Sequence, residues 1–163
     1  ISSLKKGLKL QFIVVGVSKH DISHYKNIND VFSYPENIIL CGRVKQTEVP
    51  SYSNVSDFSI IIRESSRKNM AGFPTKLAET MMAGRPVILN YTSDISRFVQ
   101  NDYNGFVMPN WSSNELEIVL SNIVTIERKE IEKLKSNALE SAYKNFNYLS
   151  YIEEMKDFIK KLE

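Results

Sequence analysis

The sequence is short of the features that most often announce a function. It has a single cysteine, Cys41, which excludes an internal disulfide and any multi-cysteine zinc or iron-sulfur cluster, and which fits a reducing compartment. A surplus of one charge is missing as well. Lys and Arg number 21 against 19 Asp and Glu, for a formal net charge of +2. No blanket of positive potential is therefore available to recruit nucleic acid, and any anion site must be local. No apolar run approaches the roughly 20 residues that span a bilayer. The start, Ile1-Ser2-Ser3-Leu4-Lys5-Lys6-Gly7, has a basic patch but neither a long apolar segment nor a small-residue cleavage site after it, unlike a signal peptide. An initiator methionine is also lacking, so the chain is expected to be a piece of something longer. Linkers, low-complexity tracts and internal repeats are absent.

What is present is the balance of one ordinary domain: 163 residues, 42% hydrophobic and 25% charged. Short apolar runs rich in Ile and Val recur at Gln11 to Val15, Ile38 to Cys41, Phe58 to Ile62, Pro86 to Leu89 and Gly105 to Met108, with longer helix-like segments between most of them. The runs are continuous, as expected for parallel strands buried on both faces, and the fold class that follows is α/β, a doubly wound parallel sheet. Helices are expected over Ser23 to Phe32, Thr47 to Ser56, Pro74 to Ala83 and Asp94 to Gln100. Gly72 and Pro74 open the third, and Gly84-Arg85-Pro86 closes it. From Ser112 the pattern is helix only. Ser112 with Glu115 forms a capping-box signature ahead of Leu116, Val119, Leu120 and Ile123 on one face. Stripes through Leu134, Ala138 and Tyr143, then through Tyr148, Ile152, Met155 and Ile159, complete a helical tail. The expected organisation is one domain over residues 1–163, with a core over about 9–110 and a tail over about 112–163.

In an open parallel sheet, ligands bind beyond the carboxyl ends of the strands. The segment from Arg63 to Asn69 holds three basic residues and precedes Gly72-Phe73-Pro74-Thr75-Lys76, which opens a helix. A helix start offers unsatisfied N–H groups and the positive end of the dipole, and Gly72 is small enough to let a ligand approach, so this reads as a phosphate cradle. The loop at Gly72 is also expected to use backbone angles that a branched residue resists. Charge and caps alone leave open a plainer reading, a solvated basic loop before a proline-capped helix. Glu79 lies four residues after Thr75, on the same face and about 6 Å along the axis. That offset suits a diphosphate at the helix start and a ribose one turn up, since a carboxylate can accept from both ribose hydroxyls. The alternative for Glu79 is solvent, or a pair with Lys76 or Arg85.

The stretch Gly72-Phe73-Pro74-Thr75-Lys76-Leu77-Ala78-Glu79-Thr80-Met81-Met82-Ala83-Gly84-Arg85-Pro86-Val87-Ile88 closely resembles the donor-site signature of group 1 (family 4) glycosyltransferases of the GT-B fold. Flanking segments match in order: Phe12 to Gly16, Asn37 to Val44, Val49 to Tyr52, Ser56 to Ile60 and Asn104 to Val107. The resemblance covers residues 10 to 110 almost continuously. It implies the Rossmann-like C-terminal half of a retaining, metal-independent transferase. Such an enzyme moves a sugar from a nucleotide diphosphate donor to a glycan or lipid-linked acceptor in polysaccharide biosynthesis.

The resemblance further implies diphosphate binding by Gly72, Phe73, Pro74, Thr75, Lys76, Leu77 and Arg63, ribose binding by Glu79, and base binding by Arg43 and Val44. Gly16 and Ala71 would lie near the donor sugar. The family commonly carries two glutamates separated by seven residues; Glu79 corresponds to the second, and Ala71 stands at the first. The nucleotide sugar is a substrate, and no cofactor, metal or nucleic acid partner is expected. The location implied is cytoplasmic, at the inner face of the membrane, with peripheral association of the full-length protein. An acceptor-binding N-terminal domain and the first strand of this half, with its basic phosphate ligands, are expected upstream of Ile1, because Lys6-Gly7 lies too close to Gly16 to supply them. On this reading the 163 residues alone transfer no sugar. A non-catalytic nucleotide-binding or regulatory module on the same scaffold is the competing reading, because fold alone does not fix function.

Other constellations have plainer explanations. His20-Asp21-Ile22-Ser23-His24 has the histidine spacing of a zinc-protease helix, but Asp replaces the Glu base and Ser23 reads as a helix cap interrupting the segment. Gly16 lacks the companions of a dinucleotide fingerprint. Asp57 precedes its strand, unlike the phosphoacceptor of a receiver domain. Cys41 reads as inert core, the run from Glu127 to Lys135 as a solvated helix face, and Trp111 as locally packed.

Overall fold

The computed structural model describes residues 10–26 and 37–162. Five strands are seen there: β1 (Phe12–Val14), β2 (Ile38–Leu40), β3 (Ser59–Ile61), β4 (Val87–Asn90) and β5 (Gly105–Met108). All observed pairings are parallel. Hydrogen bonding divides them into two ladders, β1–β2 and β3–β4–β5, where the sequence reading had one doubly wound sheet. A common core nevertheless joins the parts. Leu10 and Phe12 pack on the same cluster, Ile88, Phe106, Met108, Leu120, Ile123 and Leu134, as Phe58 and Ile62.

The helices are α1 (Lys19–Lys26), α2 (Val49–Val55), α3 (Arg67–Ala71), α4 (Thr75–Met82), α5 (Ser113–Ile123), α6 (Arg128–Phe146) and α7 (Ile152–Lys160). β4 is central to its ladder and all four of its residues are buried, which explains its unbroken apolar run. Side chains alternate across the strand: Val87 and Leu89 meet Leu77 and Met81 of α4 and Ala142 of α6, while Ile88 meets Leu120 and Ile123 of α5. Burying each such side chain stabilises the fold by roughly 1.5–3 kcal/mol. With helices on both faces, the strand ends become the free surface.

Several expectations need correction. The helix expected over Ser23 to Phe32 lies beyond Lys26 outside the described residues, and α1 starts earlier, at Lys19. Its cap is Ser18, not Ser23. The Asp21 carboxylate accepts from the Ser18 N–H at 2.8 Å and hydroxyl at 2.6 Å, and the Asp21 N–H donates back to that hydroxyl at 3.2 Å. These bonds hold the Asp21 carboxyl below the usual carboxylate range. The helix expected over Asp94 to Gln100 is only a 3-10 turn, Ile95–Arg97. α3, five residues long with Met70 and Ala71 its apolar side chains, is too short to give a periodic signal.

In the tail, Ser112 caps α5 by accepting from the Glu115 N–H at 3.3 Å. The buried seam of α6 runs through Leu134, Ala138 and Ala142, leaving Tyr143 exposed. Lys135 leaves the expected solvated face: its side chain is 12% exposed and its ammonium donates to Asp57 at 2.7 Å. Cys41 is half-buried and so is not the inert core residue expected, and Trp111 is exposed. Met155, Phe158 and Ile159 of α7 are exposed too. No helix among the described residues is long and apolar enough to cross a membrane.

Candidate functional site

The chain leaves β3 at Ile61 and reaches Arg63, where it enters a loop that closes on itself. The Arg63 guanidinium donates through Nη1 to the Gly72 carbonyl at 2.7 Å and through Nη2 to Asn69 Oδ1 at 3.0 Å. Asn69 in turn donates from Nδ2 to the Glu64 carbonyl at 2.9 Å. Within the ring, Ser66 caps α3 by accepting from the Asn69 N–H at 3.3 Å. The loop is thus internally braced and not simply a solvated basic loop, the plainer of the two sequence readings, with Arg67 and Lys68 exposed.

The ring delivers the chain to α4. Pro74 takes the cap position and has no N–H of its own. The Leu77 N–H donates to the Pro74 carbonyl at 2.8 Å. Among the described residues, the N–H groups of Thr75 and Lys76 have no partner, so these two donors are what the helix start presents outward. Thr75 and Lys76 are exposed, whereas the Leu77 side chain is fully buried and anchors the helix. Gly72 has extended backbone angles, φ −109° and ψ 125°, so the expected resistance of a branched residue to its conformation does not arise. Crowding is the real constraint there: a Cβ would lie 3.3 Å from the Lys68 carbonyl oxygen and 3.8 Å from the Arg63 guanidinium.

Glu79 is exposed on α4, one turn beyond Thr75. Its carboxylate makes no hydrogen bond or ion pair with another described residue, and so pairs with neither Lys76 nor Arg85. Arg85 donates instead to the Asn54 carbonyl at 2.8 Å. Phe73, expected beside a diphosphate, packs its ring edge-on against Phe98 at 5.5 Å and tilted against Phe146 at 5.9 Å. This trio pins the loop to the end of α6.

The structure brings Arg63, Gly72, Phe73, Pro74, Thr75, Lys76, Leu77 and Glu79 into one region, with Ala71 exposed at the end of α3 beside them. Gly16, Arg43 and Val44 belong to the other ladder, just beyond the carboxyl ends of β1 and β2. Gly16 has φ 90°, and its N–H donates to the Gly42 carbonyl at 2.7 Å. Arg43 is exposed and Val44 half-buried. Sequence reasoning gave no role to Asn69, Asn90, Phe98 or Phe146, which hold the loop. Only the apolar character of the two phenylalanines was a signal. A separate cavity of about 570 Å³, lined by residues including Tyr91, Arg97, Asn104 and Lys144, contains none of the expected site residues. Its one deeply buried polar side chain, Asn104, is already spent on Gln100, Phe98 and Ser141.

This arrangement of parallel strands, outward-facing helix start and trailing helices is the fold of the C-terminal half of GT-B glycosyltransferases. The C-terminal domain of LpcC, a glycosyl transferase group 1 family protein from Francisella tularensis, matches with a TM-score of 0.64 and 20% identity, over 89% of this chain and 74% of that one. Sucrose-phosphate synthase from Thermosynechococcus elongatus matches with a TM-score of 0.67 and 18% identity, over 93% of this chain and 38% of that one. Anabaena HepE, solved in complex with UDP-glucose, matches with a TM-score of 0.66 and 16% identity, over 93% of this chain and 41% of that one. The chain therefore spans less than half the length of the synthase and of HepE. No curated protein sequence matches it. Residues 1–125 match the family described as glycosyl transferases group 1, and the chain belongs to that family.

Proposed function

We propose that this chain is the nucleotide-sugar-binding half of a retaining glycosyltransferase that moves a sugar from a nucleotide diphosphate donor to a glycan or lipid-linked acceptor. The observation that carries the reading is the pairing, on one helix, of two outward N–H donors at Thr75 and Lys76 with the carboxylate of Glu79 one turn on, which has no partner among the described residues. The first pair suits a diphosphate and the carboxylate suits the two hydroxyls of a ribose. As the bond from sugar to diphosphate breaks, negative charge grows on the leaving oxygens. Fixed N–H dipoles and the Lys76 ammonium stabilise that charge without reorganising. The loop from Arg63 to Lys76 holds one carboxylate, Glu64, and several cations, so the diphosphate is met by protein donors with no need for a divalent ion. The acceptor is brought by a further domain, in keeping with relatives more than twice this length.

Calorimetric titration with UDP, GDP, ADP and CMP tests this reading. It expects one nucleoside diphosphate to bind, with affinity that falls as salt rises and is unchanged by EDTA. Failure of the whole panel would contradict the site, and binding lost to EDTA and restored by magnesium would contradict its metal-free character. Sugar transfer by the 163 residues alone would contradict the division of labour.

A further inference from the structure

Asn90 is the last residue of β4 and is 1% exposed. Nothing in the binding scheme above uses it, yet both ends of its amide are engaged on one residue. Its Oδ1 accepts from the Arg63 N–H at 2.9 Å, and its Nδ2 donates to the Arg63 carbonyl at 2.9 Å. Backbone pairing between β3 and β4 ends at Ile61 and Leu89. Beyond that point the strands part, and the Asn90 side chain takes over the role of a neighbouring peptide, satisfying both backbone groups of Arg63. Only an amide of this length offers a donor and an acceptor side by side. An aspartate would set an anionic oxygen against the Arg63 carbonyl, and a leucine would leave two backbone groups unpaired in a buried place.

The clamped residue is the one whose guanidinium holds Gly72 and Asn69. A continuous chain of hydrogen bonds therefore runs from the buried end of β4, through Arg63, to the peptide two residues before the cap of α4. We propose that Asn90 is a positioning residue for the diphosphate: it fixes Arg63, and Arg63 fixes the segment that aims the Thr75 and Lys76 N–H groups. The inference rests on the proposed reading of the α4 start as the diphosphate site. Its structural half, control of the loop by Asn90, stands on the hydrogen bonds alone.

Two measurements on the full chain, comparing wild type with Asn90→Asp, separate these halves. Amide hydrogen exchange in residues 64–74 should quicken about tenfold in the variant, equivalent to ~1.4 kcal/mol, while β4, β5 and α5 stay as protected as in wild type. Inorganic pyrophosphate and the UDP, GDP and ADP panel should bind about tenfold more weakly to the variant. Arg63→Lys, which keeps the charge but loses the two-pronged guanidinium, should reproduce both effects with Asn90 intact, and it replaces Asn90→Asp if that variant does not fold. Unchanged exchange in 64–74, or an equal rise throughout β4 and β5, would overturn the proposal whatever the binding result. Quickened loop exchange with undiminished diphosphate affinity would overturn the positioning role. A wild type that binds no member of the panel, together with loop exchange that responds as expected, would sink the diphosphate reading and leave Asn90 as the clamp of this loop.

Discussion

The two ladders of this molecule are built to different standards. Every buried residue among those described lies between Leu77 and Ala142, within or around β4, β5, α4, α5 and α6. Strand β1 is half-buried throughout and Ile39 in β2 is exposed; in the second ladder the edge strand β3 is no better covered, and the dense packing belongs to β4 and β5. The group of residues proposed to take the diphosphate stands on the densely packed side, while Gly16, Arg43 and Val44 stand on the other. The difference teaches where geometry can be held tightly. Donors that must meet charge at fixed distances belong on elements locked by packing, and a half-buried ladder has less to hold it.

Stability measurements can break or sharpen that contrast. The largest effect is expected from Leu77→Ala, a truncation at a fully buried side chain, which should cost about 3 kcal/mol in denaturant unfolding. Ile13→Ala on half-buried β1 should cost only about 1 kcal/mol. Equal losses would erase the distinction.

A smaller gap separates two glycines. At Gly105 a Cβ would lie 2.5 Å from the Val87 carbonyl oxygen and 2.8 Å from the Val99 side chain, so Gly105→Ala should cost about 2 kcal/mol through overpacking. Gly16 has open space around it but φ 90°, so Gly16→Ala should cost about 1 kcal/mol through backbone strain alone. The reverse order would contradict the crowding at Gly105 as the larger constraint.

The smallest effect concerns Asp57, which ties the turn before β3 to α6 through Arg128 and Lys135, both at 2.7 Å. Burial works against its charge, but the hydrogen bonds and positive charge of Lys135 and Arg128 outweigh it and hold the carboxyl below the usual range. The folded value is depressed, so the stabilisation is present above the unfolded value of about 3.9 and is lost as pH falls through the folded one. Because the side chain is 45% exposed, solvent screening limits Asp57→Asn to about 0.5 kcal/mol at neutral pH. Wild type and variant should converge in stability at low pH, and a constant gap down to acid would refute the ion-pair origin.

Much of the scaffold was legible because the strands are continuous apolar runs, and all five runs fell on observed strands, although only β4 is buried at every position. The start of α4 was legible because proline and glycine act locally. Other features depended on neighbours that are distant in sequence. Asn90 looks like an ordinary polar residue at a strand end until the register of β3 against β4 places it beside Arg63. Phe73, Phe98 and Phe146 meet only after α6 has folded back. The reach of Lys135 to Asp57 crosses 78 residues, so the charge run alone read as solvated. Ser23 was mistaken for a cap because Ser18 satisfies the same local rule five residues earlier.

The central claim is that Glu79 holds a ribose while the start of α4 holds its diphosphate. The direct measurement is calorimetry of wild type and Glu79→Gln with ribonucleoside diphosphates and their 2′,3′-dideoxy counterparts. Wild type should prefer the ribose form by about 1.5–3 kcal/mol, the scale of hydrogen bonds to a charged group, and Glu79→Gln should lose most of that preference. Equal binding of ribose and dideoxy forms by the wild type would contradict the assignment.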